Sequence, residues 1–258
     1  MKLIEDMKIV KNCEIAKNIY EMTLTGDNVK LMNQPGQFVN IKITEMSQLI
    51  LRRPISICEI DQEKKQIKLI YRIKGQGTEI LAKKLPGEVI NIFGPLGNGY
   101  PEYSIKNHET ALLVGGGIGV APLYELAKRL SRRKIKVKSV LGFATMTDVF
   151  YEKEFSFYGE VHVATIDGSY NFNGNVLDLI KSKNLQFDVI YGCGPQAMLK
   201  AINDEYINLK KGYLSLEERM ACGIGACYAC VCDKANKSTE TVRICKEGPV
   251  FKLGEVEI

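Results

Sequence analysis

The sequence predicts a multidomain α+β chain. An N-terminal antiparallel β-barrel is expected over residues 1–100, an α/β parallel-sheet domain over residues 101–214, and a small C-terminal segment over residues 215–258. Three observations carry that prediction. Short alternating strands separated by turn signals fill the first part. Apolar runs interleaved with amphipathic helices follow. Four cysteines, Cys222, Cys227, Cys230 and Cys245, then crowd the end of the chain with spacing C-x4-C-x2-C-x14-C. With 258 residues and 45% hydrophobic side chains, there is apolar surface enough for more than one core.

Barrel strands are expected at Met7–Ile15, Ile19–Leu24, Gln37–Ile43, Pro54–Glu59, Gln66–Ile73 and Glu88–Ile92. In the fifth, Ile67, Leu69, Tyr71 and Ile73 share one face, and Lys68, Ile70 and Arg72 the other. Asn33-Gln34-Pro35-Gly36 and Asp61-Gln62-Glu63 signal turns between them. One helix interrupts the strands, with Thr78 as its N-cap and Pro86-Gly87 as its stop. Six short strands so arranged suggest a small barrel.

Beyond Pro95–Lys106, a glycine- and proline-rich boundary, the pattern changes. Ala111–Val114, Val137–Phe143, Val161–Ala164 and Phe187–Tyr191 are continuous apolar runs, the mark of strands buried on both faces. Leu123, Leu126, Ala127 and Leu130 recur at helical spacing, which makes Pro122–Arg133 an amphipathic helix with proline at its start. Pro195–Ile207 carries Met198, Ile202 and Tyr206 on one face. The last forty or so residues read as a loop-rich appendage around the cysteines.

Composition narrows the chemistry. Only two histidines occur, His108 and His162, so histidine-based acid–base or nucleophilic catalysis has little material. A net charge of +5 is mild for this length, and the basic run from Lys128 to Lys138 reads as a solvated helix end and strand face. Neither nucleic acid nor membrane is expected as a partner. The N-terminus has no apolar h-region, which points to the cytoplasm, where thiols stay reduced.

The cysteine spacing is that of plant-type [2Fe–2S] loops. Four thiolates around two irons concentrate negative charge and need N–H donors aimed at the sulfurs. Gly223 and Gly225 give the loop the backbone freedom to wrap that tightly. A structural zinc site is the rival, but zinc knuckles pair cysteines two to four residues apart. Cys232 competes with Cys230 as ligand, and the two-residue gap after Cys227 favours Cys230.

Two glycine-rich turns join strands to helices: Gly115-Gly116-Gly117-Ile118-Gly119 and Gly192-Cys193-Gly194-Pro195. Such turns let backbone N–H groups and a helix N-terminus meet a pyrophosphate, and two of them at strand carboxyl ends suggest a dinucleotide in the crevice between. In the barrel, Arg53-Pro54-Ile55-Ser56 sets a bidentate cation near a hydroxyl able to reach a ring nitrogen. Arg72, ahead of Gly75-Gln76-Gly77-Thr78, supplies a second anion site at a helix start. Together they describe a pyrophosphate-bearing cofactor on a barrel. Nicotinamide exchanges hydride while a cluster passes single electrons, so a flavin is expected between them, with Ser56 near its N5 as the catalytic side chain.

Arg53-Pro54-Ile55-Ser56 resembles the R-x-[YF]-[ST] flavin signature of the ferredoxin–NADP reductase superfamily, with isoleucine in place of the aromatic residue. The order of barrel motif, glycine turn and cysteine loop further resembles the family of electron-transfer subunits of type B dihydroorotate dehydrogenase. The resemblance implies FAD contacts at Arg53, Pro54, Ile55, Ser56, Ile70, Tyr71, Arg72, Gly77 and Thr78, and cluster ligation by Cys222, Cys227, Cys230 and Cys245. It also implies a partner, an FMN-containing catalytic subunit that oxidises dihydroorotate, in a heterotetramer with two of each chain. Electrons would then pass through [2Fe–2S] and FAD to NAD. The alternative within enzymes is an NAD(P)H-dependent ferredoxin or sulfite/sulfur reductase subunit. Asp148 after the second sheet strand favours NAD if it meets ribose, and is otherwise an exposed helix start. A zinc-stabilised nucleotide-sensing module is the non-enzyme alternative, and it would be colourless.

Overall fold

The structure is a computed structural model that describes residues 3–43, 49–208, 210–235 and 237–258. Its first unit is a closed antiparallel barrel of strands β1 (Ile4–Ala16), β2 (Ile19–Thr25), β3 (Phe38–Lys42), β4 (Arg53–Asp61), β5 (Gln66–Arg72) and β6 (Val89–Leu96), in the order β1-β2-β5-β4-β3-β6. Alternation decides which side chains fill it. Val39 and Ile41 of β3 point inward with Met22, Leu24, Ile67 and Leu69. Phe38 shares the opposite, outer face of β3 with Asn40, and packs against the rest of the chain. Ile70, placed on the polar face by periodicity, is buried in an apolar cluster that includes Val120 and Ala121 of the second unit.

Helix α1 (Gln76–Ala82) begins three residues earlier than its sequence signal suggests. Gly75 is the N-cap, and Thr78 lies inside the first turn. Its hydroxyl still ties down the helix entry, accepting from the N–H of Lys74 and donating to the Gly75 carbonyl.

The second unit holds β7 (Thr110–Gly116), α2 (Ala121–Arg132), β8 (Lys136–Phe143), α3 (Glu152–Ser156), β9 (Glu160–Thr165), β10 (Phe172–Asn173), α4 (Val176–Ser182), β11 (Val189–Cys193), α5 (Gln196–Tyr206) and β12 (Lys211–Ser215). After the cysteine loop come the hairpin β13 (Val231–Lys234) and β14 (Lys237–Arg243), then β15 (Val250–Lys252). Among the described residues the large sheet runs β10-β9-β8-β7-β11-β12-β15. It is parallel except for β15, which pairs antiparallel with β12. The C-terminal stretch is therefore not a loose appendage: a hairpin carries it back, and its last strand closes the edge of the sheet.

The basic run is another correction. Lys128 is buried, with Nζ 2.7 Å from Glu59 of β4. Arg129 meets Glu125 at 2.7 Å and Glu102 at 3.1 Å, and Arg133 donates to the carbonyls of Glu102 and Ile105. Glu125 in turn accepts the N–H of Ile60. These charges join helix to barrel, and apart from Glu125, one turn before Arg129, their partners lie too far along the chain for a local pattern to reveal.

Candidate functional site

A cavity of about 980 Å³ opens between barrel, sheet and C-terminal hairpin. Its barrel wall is Arg53, Pro54, Ile55, Ser56, Ile70, Tyr71, Arg72 and Thr78. Gly116 and Gly117 line it from the first glycine turn, and Gly194 and Pro195 from the second. Met220, Cys232 and Ile244 close it from the cysteine-bearing side. A smaller notch of about 130 Å³ beside Glu59 and Lys68 belongs to the interdomain ion network.

Arg53 opens β4 and lays its guanidinium across Gly77, where an added Cβ would stand 2.9 Å from Nε. Glycine at 77 lets the start of α1 and a cation approach each other, a positive end suited to phosphate oxygens. Ser56 lies on the same wall. Tyr71 contributes differently: its ring stacks on Tyr20 and its hydroxyl donates to Asn12 at 2.8 Å. Arg72 reaches across to Asp148 at 3.1 Å, and Thr145 donates to the same carboxylate. Asp148 is thus held in a short 3-10 turn, with its carboxylate engaged by protein rather than exposed at a helix start.

The glycines divide into two kinds. Gly117 has φ +54° and open space around its absent side chain, so it bares its backbone to the cavity. Gly119 faces the other turn: a Cβ there would sit 2.4 Å from the Cys193 carbonyl oxygen. Gly115 packs on Val120, and Gly192 on Leu214 with its carbonyl accepting from Tyr100 at 3.0 Å. Cys193 is buried behind the wall, and desolvation pushes its thiol pKa up. Gly119, Gly116 and Gly194 therefore let the two turns touch, Gly115 and Gly192 pack against apolar side chains behind them, and Gly116, Gly117, Gly194 and Pro195 line the cavity.

The cysteine loop packs on the barrel's outer face. The backbone ties the cysteines in two pairs: the Cys227 N–H lies 3.4 Å from Cys222 Sγ, and the Cys245 N–H 3.4 Å from Cys230 Sγ. Among the described residues they do not gather as a single group of three or more, but two pairs are what a two-iron cluster requires. Donors already converge on them. The N–H groups of Ile224, Ala226 and Cys227 lie 3.3–3.5 Å from Cys222 Sγ, that of Gly225 3.1 Å from Cys245 Sγ, and that of Cys245 3.4 Å from Cys230 Sγ. Burial opposes ionisation of Cys222, yet the donors outweigh it and bring the thiol down to about 6. At Cys245 burial prevails and pushes the thiol up to about 12. The residues present fit a [2Fe–2S] cluster.

Arg243 fastens the loop, donating to the Gly225 carbonyl at 2.9 Å and lying 4.8 Å over the ring of Tyr228. Cys232 lies on the cavity wall, on β13, and burial raises its thiol to about 11. Periodicity could not have found Phe38 or Asn40, which lie on the outer face of an apolar strand. Glu217 was findable, since it follows β12 at the carboxyl edge of the sheet. It lines the cavity, and the surrounding protein raises its carboxyl pKa.

A barrel and a parallel sheet sharing one cavity, with paired thiols just behind the wall, define a reductase of the flavin-and-nucleotide class that also carries a cluster. The family described as "Oxidoreductase FAD-binding domain" matches residues 2–100, and "Iron-sulfur cluster binding domain of dihydroorotate dehydrogenase B" matches residues 217–257. The dihydroorotate dehydrogenase B (NAD(+)) electron transfer subunit of Geobacillus sp. (strain WCH70) is 53% identical, over 98% of both chains, and that of Geobacillus kaustophilus 51% identical over the same shares. The chain belongs to this family of electron transfer subunits. Among solved structures, an NADH-dependent reduced ferredoxin-NADP oxidoreductase superposes with a TM-score of 0.86 at 29% identity, covering 97% of this chain and 89% of the other. Among the described residues no helix is long and apolar enough to cross a membrane.

Proposed function

We propose that this chain takes electrons from an FMN-containing catalytic subunit that oxidises dihydroorotate, and delivers them to NAD⁺ through a [2Fe–2S] cluster and FAD. The complex is a cytoplasmic heterotetramer with two copies of each chain. Cys222, Cys227, Cys230 and Cys245 hold the cluster. Arg53, the start of α1 and Arg72 take the FAD pyrophosphate, Pro54, Ile55, Ile70 and Tyr71 flank the ring system, and Ser56 presents its hydroxyl to the ring. Gly116, Gly117, Gly194 and Pro195 receive the dinucleotide. When bound, a flavin exchanges hydride with nicotinamide and single electrons with a cluster. The working units are residues 1–100, 101–214 and 215–258.

One observation carries the reading: Ile244 lines the cavity and is bonded directly to Cys245. A wall of the cavity and one of the four cysteines are therefore neighbours in the chain, which supports passage of electrons between a flavin and a cluster held there. Around the loop, Ile224 and Tyr228 are 49% and 60% exposed, an apolar surface suited to a protein partner. The test is to co-purify the chain with its catalytic subunit, record the visible spectrum and assay dihydroorotate-dependent NAD⁺ reduction. Flavin and cluster bands with that activity are expected. Rapid ferredoxin reduction without it would favour a ferredoxin reductase, and a colourless protein would end the electron-transfer reading.

A further inference from the structure

Asn40 is 1% exposed, and neither its Nδ2 nor its Oδ1 has a hydrogen-bond partner. A buried amide with both ends unpaired is costly, and an apolar side chain of similar size would fill the place without that penalty. Such an orphan in a well-packed chain signals a partner that the polypeptide itself does not supply. The surroundings identify it. Asn40 projects from the outer face of β3, two residues beyond Phe38 on the cavity wall, and the cysteine loop lies over it. A Cβ built on Gly223 would fall 2.2 Å from Asn40 Nδ2 and 3.2 Å from Leu96 Cδ1. The residue directly after Cys222 is thus held against this amide, in a left-handed turn at φ +74° that favours glycine. The backbone under Asn40 is fixed too, since Arg52 donates to its carbonyl at 3.2 Å.

We propose that Asn40 is a hydrogen-bond donor to the [2Fe–2S] cluster, its Nδ2–H reaching a sulfur beside Cys222 from the barrel side. This rests on the cluster assignment above. Sulfur in such a centre only accepts hydrogen bonds, so the nitrogen end of the amide, the end nearest Gly223, is the one used. The N–H donors aimed at the cysteine sulfurs at 3.1–3.5 Å come from the loop's own backbone and from Cys245, whereas Asn40 comes from the domain expected to hold the flavin. Donors to sulfur stabilise the extra negative charge of the reduced state and raise its potential. Asn40 would therefore tune the cluster upward and tie its position to the barrel.

The test is an EPR-monitored redox titration of the complete complex with wild-type chain, Asn40→Leu and Asn40→Asp, with proton ENDOR on each reduced cluster. At a poise where the wild-type cluster is half reduced, Asn40→Leu should lower the reduced-to-oxidised ratio about tenfold, which is about 59 mV for one electron. Asn40→Asp, which keeps the size but replaces the donor with a carboxylate, should lower it further. Both should lose an exchangeable proton coupling present in the wild type. Unchanged ratios and couplings in variants that retain their clusters would overturn the proposal and leave Asn40 a packing residue. Should Asn40→Leu fail to assemble, Asn40→Asp decides alone on the same two readings. A wild-type complex lacking any cluster signal would instead sink the cluster assignment, and this proposal with it.

Discussion

Gly119→Ala asks whether the two glycine turns support each other or each serve a bound nucleotide. The new methyl would lie 2.4 Å from the Cys193 carbonyl oxygen, 2.5 Å from its carbon and 2.6 Å from the Gly194 nitrogen. An ordinary contact begins near 3.4 Å, so the facing backbone must retreat by about 1 Å. That backbone ends the buried strand β11, so nothing flexible can yield. Overpacking of this kind costs roughly 1–3 kcal/mol, and a backbone-to-backbone clash belongs at the upper end. For a chain of this size about 3 kcal/mol corresponds to a melting temperature roughly 6–12 °C lower. Gly117→Ala is the control. It meets nothing within 4 Å but must hold φ +54°, which costs about 1–2 kcal/mol. Its methyl projects into the cavity, so NADH affinity should fall at least about tenfold, equivalent to about 1.4 kcal/mol. Differential scanning fluorimetry and NADH titration of the flavin signal measure both. A Gly119→Ala protein melting within about 2 °C of wild type would refute the packing role, and unchanged NADH affinity in Gly117→Ala would refute the surface role.

Cys245→Ser should abolish the cluster's absorption bands while FAD stays bound, because the barrel wall and α1 lie outside the cysteine loop; loss of both by quantitative cofactor analysis would mean the two sites fold as one. Cys232→Ser should keep a full complement of iron, since Cys232 faces the cavity while Cys230 is paired with Cys245; iron loss would move the ligand assignment to Cys232. For pH, burial disfavours the Glu59 carboxylate, but Lys128 and Lys68 outweigh it and lower its pKa, and burial of Glu21 is likewise outweighed by Tyr151 and Lys11. Carboxyls with lowered folded pKa values stabilise fully above their unfolded values near 4.5, and that stability is lost as pH falls through the folded ones. The melting temperature should therefore hold from pH 7 to about 5 and drop below about 4.5, and Lys128→Met should flatten the drop; an equally steep acid limb in the variant would refute the link.

What was legible in the sequence is what local rules govern. Strand alternation placed Ile67 and Leu69 inside the barrel, and helical spacing placed Leu123, Leu126 and Leu130 under α2, because each pattern is fixed by the geometry of its own element. The cysteine loop was legible for the same reason, since three of its four cysteines lie within nine residues. What escaped depends on distant partners. Lys128 looked solvated until Glu59 was brought against it, and Gly119 looked like a phosphate contact until Cys193 occupied the space opposite. Thr78 has the chemistry of an N-cap, but Gly75 supplies that position three residues earlier. Asp148 waited for Arg72, which comes from the other domain.

The outer face of β3 shows how barrel and cluster loop are made to work at one distance. Phe38 and Asn40 are two residues apart on the same face, and therefore roughly 6–7 Å apart along the strand. Phe38 faces the cavity, and Asn40 lies under Gly223 of the ligand loop. A strand inside a closed barrel cannot slip without moving every side chain to the wrong face. Its partners on both sides, β4 and β6, fix it further, and Arg52 bonds its carbonyl at Asn40. Electron transfer between two bound groups depends on a separation that must not drift, and loops alone hold separations poorly. Building both walls on one strand transfers that task to the most constrained part of the chain.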